Sequence, residues 1–357
     1  MEPSLNAPEL NRIYQGDCLA TMRTWPDRLA DCVVTSPPYF GLRDYGVAGQ
    51  MGLESTPVEF VAKMVEVFQE VRRILKDDGT LWLNIGDSYA GSWGAQGHFR
   101  DSTTRTMSRQ QITNHPKVAR NTGSVKGMGI KPKELMMIPA RLAMALQADG
   151  WYLRSDIIWH KPNPMPESIT DRPTKSHEYL FLLSKSSRYY YDQAAIAEPV
   201  AMSTAADRRV QNEDYEAGRP DRGFPGQASR GGGPLVKRSG NKARKERPGA
   251  PEDHGGKQAG SVPWEGTTRN KRTVWTVSTK PFKEAHFATF PPDLIAPCIL
   301  AGSRGGGVVA DPFMGAGTTA LVAARLGRKF IGCELNPAYI EIANRRIAPE
   351  LAQGKFL

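Results

Sequence analysis

Residues 308–336 read VVADPFMGAGTTALVAARLGRKFIGCELN. An apolar run ends in Asp311, a turn carrying Gly315 and Gly317 follows, a helix is expected from about Thr318 to Leu326, and a second apolar run ends in the acid Glu334. Strand, turn, helix, strand is the unit of a parallel sheet with helices on its faces, and in such sheets ligands bind beyond the carboxyl ends of the strands. The two glycines let the backbone approach a ligand closely, and with Ala320 they satisfy G-x-G-x-x-[GA], so a dinucleotide-binding dehydrogenase is one reading. A phosphate-cradling P-loop is not, because Gly-Lys-[Ser/Thr] is missing. Glu334 suits any ligand with a ribose, whose two hydroxyls a carboxylate can accept. Asp311 weighs against a dinucleotide, since a carboxylate just before the turn repels a pyrophosphate and attracts an ammonium or sulfonium group. As a purely structural feature, Asp311-Pro312 caps the turn.

The rest of the chain repeats the alternation. Short strands are expected at 12–14 and 31–35, the first followed by Gly16-Asp17 and a helix from Cys18. A strong helix spans 57–76, with Phe60, Met64, Val67, Phe68, Val71 and Leu75 on one face and Asp77-Asp78-Gly79 closing it, and a strand follows at 80–85. Further on come a helix at 134–147, a strand at 152–160, two strands around Lys185-Ser186-Ser187, a strand near 272–277, a helix at 291–301 and a last helix from Pro337. The class is α/β, with a doubly wound, mostly parallel sheet.

The chain has 357 residues, 39% hydrophobic and 24% charged, in the soluble globular range. Its first residues lack the apolar run of a signal peptide and no stretch reaches the ~18 apolar residues of a spanning helix, so no membrane association and a cytoplasmic location are expected. Cys18, Cys32, Cys298 and Cys333 are scattered, without metal-ligand spacing, and read as reduced buried thiols with no metal bound. Net charge is +10, concentrated in two segments. Residues 91–131 carry seven Lys/Arg against one acid, and residues 207–272 carry fifteen against nine, with twelve Gly and six Pro. Such segments are too polar or too rich in Gly and Pro for a packed core, and they serve either to grip a polyanion or to keep the chain soluble.

A second motif lies at 32–46, CVVTSPPYFGLRDYG. A β-branched strand runs into Ser36-Pro37-Pro38-Tyr39. The two prolines fix φ and donate no N–H, which leaves the Pro37 carbonyl as a rigid acceptor beside the Ser36 hydroxyl. Two acceptors on a stiff turn suit an –NH2 group, and Tyr39 offers a flat face for a base. The plain alternative is a strand-ending turn with Tyr39 in the core.

Together these stretches resemble the amino DNA methyltransferases, in the permuted β arrangement that places TSPPY first and DPFMGAGTT last. GDCLATM, GTLWLNIGDSY, LRSDIIWHKPNPMPES, HEYLFLLSK and HFATFPPDLI extend the likeness over most of the chain. The resemblance implies a Rossmann-like methyltransferase fold with a seven-stranded sheet, circularly permuted motif order and basic loop insertions, and S-adenosylmethionine as methyl donor. It implies that Ser36, Pro37, Pro38 and Tyr39 form the catalytic turn. Asp311, Pro312, Phe313, Gly315, Gly317, Thr318 and Thr319 would form the loop around the methionine part, with Glu334 on the ribose, Asp17 and Cys18 near the adenine, and Phe290 closing the methionine end. Asp87 either lines the base pocket or caps its turn.

The implied mechanism is direct transfer to an exocyclic amine of a base flipped out of duplex DNA. Ser-Pro-Pro-Tyr is associated within the family mainly with N4 of cytosine and Asp-Pro-Pro-Tyr with N6 of adenine, so cytosine is favoured and adenine stays open. Residues 1–200 would be the catalytic half, including a mobile loop at 91–131. Residues 201–275 would be a target-recognition insertion and 276–357 the cofactor-binding half. Double-stranded DNA is the implied partner, with a cognate restriction endonuclease as a candidate second one, and the chain would act as monomer or homodimer. Outside this class stand the NAD-dependent dehydrogenase and a nucleic-acid-binding protein without catalysis.

Overall fold

The computed structural model describes residues 7–41, 47–90, 130–200, 267–279 and 289–352. The chain divides into two compact units, one made of residues 1–196 and 270–357, the other of 197–269. In chain order the elements are β1 (Arg12–Gln15), α1 (Cys18–Met22), β2 (Ala30–Thr35), α2 (Pro57–Ile74), β3 (Leu75–Ile85), α3 (Ile138–Ala148), β4 (Tyr152–His160), β5 (His177–Ser184), β6 (Glu198–Pro199), β7 (Thr268–Arg269), β8 (Val274–Thr276), α4 (Pro292–Gly302), β9 (Val308–Asp311), α5 (Thr318–Arg325), β10 (Lys329–Glu334) and α6 (Pro337–Ala352).

The large unit is built on one sheet in the order β1-β10-β9-β2-β3-β5-β4-β8. Every neighbouring pair is parallel except those made by β5, which runs against both β3 and β4. The join between the two ends of the chain is the β2–β9 pair, with Cys32 opposite Val309 and Val33 opposite Ala310. Both strands are buried throughout, as expected of parallel strands covered on two faces. One face is covered by Met22 and Trp25, by Phe60, Met64, Val67, Phe68 and Val71 of α2, and by Leu142 and Leu146 of α3. The other carries Leu294, Ile295 and Ile299 of α4, the small side chains of α5, and Ile347 of α6.

Helix α2 forms where its sequence says it should. Thr56 caps it by accepting from the Glu59 N–H at 3.1 Å, Pro57 opens the first turn, and the Glu59 carboxylate accepts from Ser55 N–H at 3.0 Å. Each large apolar side chain on its stripe is worth about 1.5–3 kcal/mol of burial.

Several expectations are corrected. Among the described residues the sheet has eight strands, because β8, lying after the basic segment, adds alongside β4 with Trp159 opposite Trp275. The expected insertion at 201–275 therefore overlaps the large unit at its end. Asp77-Asp78-Gly79 do not close α2; the helix stops at Ile74 and these residues already lie in β3. The α3 helix starts later than 134, since Glu134 and Met136 are tied to Ala90 and Ser88 by backbone hydrogen bonds. The second strand expected after Lys185 is absent: Tyr190 and Asp192 donate their N–H groups to Asp78 and Ala301 instead of a ladder partner, and the Tyr191 ring stacks on Trp82.

In the small unit, β6 and β7 pair antiparallel with Glu198 opposite Arg269, whose side chains form an ion pair at 3.6 Å. The basic segment at 91–131, apart from its last two residues, and the insertion between 201 and 266 lie outside the described residues.

Candidate active site

Five neighbouring strands, β1, β10, β9, β2 and β3, run parallel, so their carboxyl ends line one edge. In that order the residues at or just past the ends are Asp17, Glu334, Asp311, Ser36 to Tyr39, and Gly86-Asp87. Both sequence motifs thus meet at one edge.

The tie between them is a buried carboxylate. Thr35, last in β2, donates its hydroxyl to Asp311 Oδ1 at 2.6 Å, although 276 positions separate the two. The Phe313 N–H donates to the same oxygen at 2.9 Å, and the Thr319 hydroxyl donates to Oδ2 at 2.7 Å. Asp311 is 1% exposed, and burial pushes its pKa up to about 6 even against these three donors. The carboxylate is thus held by protein groups, and the attraction expected for a ligand cation would work through the local field. Thr318 and Thr319 are likewise buried, the latter as part of this knot.

The glycine turn is held from below. The Gly315 N–H donates to Glu334 Oε2 and the Asn336 N–H to Oε1, both at 2.8 Å, while Met314 N–H reaches the Cys333 carbonyl at 2.9 Å. Burial raises the Glu334 pKa as well. The two glycines differ. A Cβ on Gly317, at φ +78°, would lie 2.6 Å from the Ala343 Cβ, so it is needed for packing α5 on α6. A Cβ on Gly315, at φ +52°, would meet nothing closer than the Phe313 carbonyl at 4.0 Å. The turn therefore has one open side, flanked by Gly315, Phe313 and Glu334.

Asp17 is exposed beside it, capping α1 through the Ala20 N–H at 2.9 Å. Cys18 is different: its side chain is buried in the core, and burial pushes the thiol to about 12, which leaves only its backbone for a ligand. All four cysteines are buried. Phe290 packs partly buried against the α4–α6 side of the core, ahead of α4. Pro312 is buried at the start of the turn.

On the other side of the knot, Pro37 is buried while Ser36, Pro38 and Tyr39 are partly exposed. The turn is braced by Gly52, whose Cβ would stand 3.0 Å from the Tyr39 carbonyl, and by Gly86, whose Cβ would stand 2.5 Å from the Tyr39 ring. The Tyr39 hydroxyl donates to Glu178 Oε2 at 2.7 Å. Asp87 is a cap: its Oδ1 accepts from Ser88 and Ile138 N–H groups at 2.9 and 3.0 Å, and its side chain is 2% exposed. Gly52, Gly86, Asn84 and Glu178 were not singled out from the sequence, and Thr35 was named only as the start of the proline turn. Gly86 had a signal, a glycine directly after a buried strand; Glu178 and Asn84 had none, because their roles depend on strand pairing.

The family described as DNA methylase matches residues 30–345. The Type II methyltransferase M.Cfr9I of Citrobacter freundii is 42% identical over 345 residues, 96% of this chain and 90% of that protein. M.SmaI of Serratia marcescens is 40% identical over 336 residues, 94% and 90% of the two chains. Among solved structures, the PvuII DNA methyltransferase (cytosine-N4-specific) superimposes with a TM-score of 0.56 at 16% identity, covering 98% of this chain and 92% of its own, a likeness of fold. With both motifs joined at one sheet edge and the match running through nearly the whole length, the chain belongs to the DNA methylase family of N6/N4 amino methyltransferases.

Proposed function

We propose that the protein transfers a methyl group to the N4 amine of cytosine in duplex DNA. The observation that carries this is the 2.6 Å bond from Thr35 to Asp311, which sets the Ser-Pro-Pro-Tyr turn directly beside the glycine turn.

The residues at the open side of the glycine turn fit S-adenosylmethionine and not a dinucleotide. Asp17 and Glu334 border it, Asp311 lies buried behind it, and no Lys or Arg lies within residues 311–319, so a pyrophosphate would find repulsion where a ribose finds acceptors and a sulfonium a negative field. Asp17 and Glu334 would hold the adenosine, and Phe313, Gly315 and Phe290 the methionine end, with Pro312, Gly317, Thr318, Thr319 and Cys18 shaping the walls. When bound, this group supplies an electrophilic methyl on sulfur.

The chain's own work is on the nucleophile. An aromatic amine attacks poorly because its lone pair is delocalised into the ring. Ser36 Oγ and the Pro37 carbonyl would accept hydrogen bonds from both amino protons and draw the nitrogen toward sp3 geometry, so that its lone pair points at the methyl, and one of these protons leaves to solvent once the methyl is transferred. Pro38 keeps that carbonyl from turning away, and the Tyr39 ring replaces the stacking that a base loses when it leaves the duplex. Ser36 in place of Asp favours cytosine. The basic part of the 201–275 segment, ahead of β8, would read the sequence through Arg/Lys contacts to phosphates and guanine edges, and residues 91–131 would close on DNA. A cognate restriction endonuclease, action as monomer or homodimer, and a cytoplasmic setting complete this reading.

The test is expression in a methylation-free host followed by single-molecule sequencing of its genomic DNA. N4-methylcytosine in a fixed sequence context is the expected result. N6-methyladenine would move the assignment to adenine, and an unmodified genome would overturn it.

A further inference from the structure

The Tyr39 hydroxyl ends in a network that the methyl-transfer reading does not use. Glu178, near the start of β5, spends Oε2 on the Tyr39 hydroxyl at 2.7 Å and on Asn84 Nδ2 at 3.3 Å, while its Oε1 pairs with Lys161 Nζ. Lys161 in turn lies over the Trp159 ring, 4.3 Å from its centroid. Asn84, 2% exposed, also donates to the Tyr179 carbonyl at 3.1 Å and has its Oδ1 3.3 Å from the Tyr39 hydroxyl. The three strands supplying these groups, β3, β5 and β4, are adjacent, and the reversed direction of β5 is what brings its first residues to the edge where β3 and β4 end.

This arrangement is more than a packed tyrosine needs. The Glu178 and Lys161 side chains are 17% and 19% exposed, and withdrawing an ion pair this far from water carries a desolvation cost that apolar residues of the same size would avoid. The network holds a ring by its two ends: Gly86 lies against its carbons, and the carboxylate fixes its oxygen. A swing of the Tyr39 side chain away from Gly86 would break the short bond and leave Oε2 with only the longer one from Asn84.

We infer that Glu178, anchored by Lys161 and Asn84, is a positioning residue that holds the Tyr39 ring in place against Gly86 before an extruded base arrives. The inference rests on the proposed function, in that it gives the Tyr39 ring a base to receive. Its consequence is that Glu178 acts on the rate of methyl transfer through the Tyr39 hydroxyl and leaves the cofactor end untouched. Glutamine is the informative replacement, since it removes the charge and, with its one oxygen on Lys161, leaves Tyr39 facing an N–H where it had an acceptor.

The experiment compares the full-length parent with Glu178→Gln, Tyr39→Phe and the double variant. Methyl transfer from S-adenosylmethionine is measured on plasmid DNA from a methylation-free host, and S-adenosylhomocysteine affinity is measured by calorimetry. Each single variant is expected to lower kcat about tenfold, the worth of one hydrogen bond to a charged group, with cofactor KM and S-adenosylhomocysteine affinity within about twofold of the parent. The double variant is expected to be no slower than the slower single one, because both changes remove the same link. A parent protein that binds S-adenosylhomocysteine but methylates nothing overturns the proposed function and the inference with it. An active parent whose Glu178→Gln form keeps the parental kcat, or whose double variant multiplies the two single effects, overturns the inference alone. Should Glu178→Gln lose S-adenosylhomocysteine binding, Tyr39→Phe decides: parental kcat sinks the inference, and a tenfold loss at unchanged cofactor affinity upholds it.

Discussion

The two turns at the carboxyl edge are built on opposite plans. The glycine turn is over-determined: Asp311 has three donors, Glu334 has two, and Gly317 is wedged against Ala343. The proline turn gets its rigidity covalently, from Pro37 and Pro38, and keeps Ser36 and Tyr39 partly exposed. Substitutions in the first should therefore register mainly as stability, and in the second mainly as rate.

The largest effect is expected on the rate side. Ser36→Ala should lower kcat about 100- to 1,000-fold, the usual consequence of removing one preorganised hydrogen-bonding partner, with the melting temperature unchanged; a parental rate would break the contrast and the mechanism together. Next comes Asp311→Ala, which strands two hydroxyls and an N–H. It should cost about 2–4 kcal/mol in chemical denaturation, and an unaltered midpoint would show that the knot does not hold the turns together.

Acidity sharpens the same point. The Asp311 pKa is raised to about 6 in the fold against 3.8 outside it, so between these values the folded protein holds a proton that the unfolded chain has lost. This group's contribution to stability is thus greatest at low pH and declines as pH rises through that window, by about 1.4 kcal/mol per unit, then levels off. Denaturation midpoints of the parent and Asp311→Asn, followed from pH 4 to 7, should differ by that slope. Cofactor affinity should move the other way, weakening as pH falls through about 6, because a protonated Asp311 no longer draws a sulfonium.

The smallest effect separates the two glycines. Gly315→Ala should cost only about 1 kcal/mol of stability, from its left-handed backbone, while weakening S-adenosylhomocysteine binding, since its Cβ would project into the open side of the turn. Gly317→Ala should do the reverse, with the clash against Ala343 appearing in the denaturation curve.

How much of this could be read beforehand follows the same division. The strands at 308–311 and 329–334 and helix α2 were legible because buried apolar runs and a 3.6-residue stripe are local signals. The pairing of the two motifs was legible through the rule that ligands bind beyond the carboxyl ends of parallel strands and through the family resemblance that the two carry together. What escaped depends on contacts distant in sequence: Thr35 as the donor to Asp311, Glu178 behind Tyr39, and β8 as an eighth strand. Asp311 itself was singled out, but sequence does not show the three donors that occupy it. The tyrosines at 189–191 misled through β propensity, their amides having been taken by Asp78 and Ala301.

The antiparallel pairing of β6 with β7 places Glu198 opposite Arg269, so the long excursion between them departs and returns through adjoining doorways. Closing a loop costs entropy that grows only with the logarithm of its length, and here the closure is already made at the threshold. Such a gate lets an intervening stretch be lengthened, trimmed or exchanged while the pairing at its base is kept.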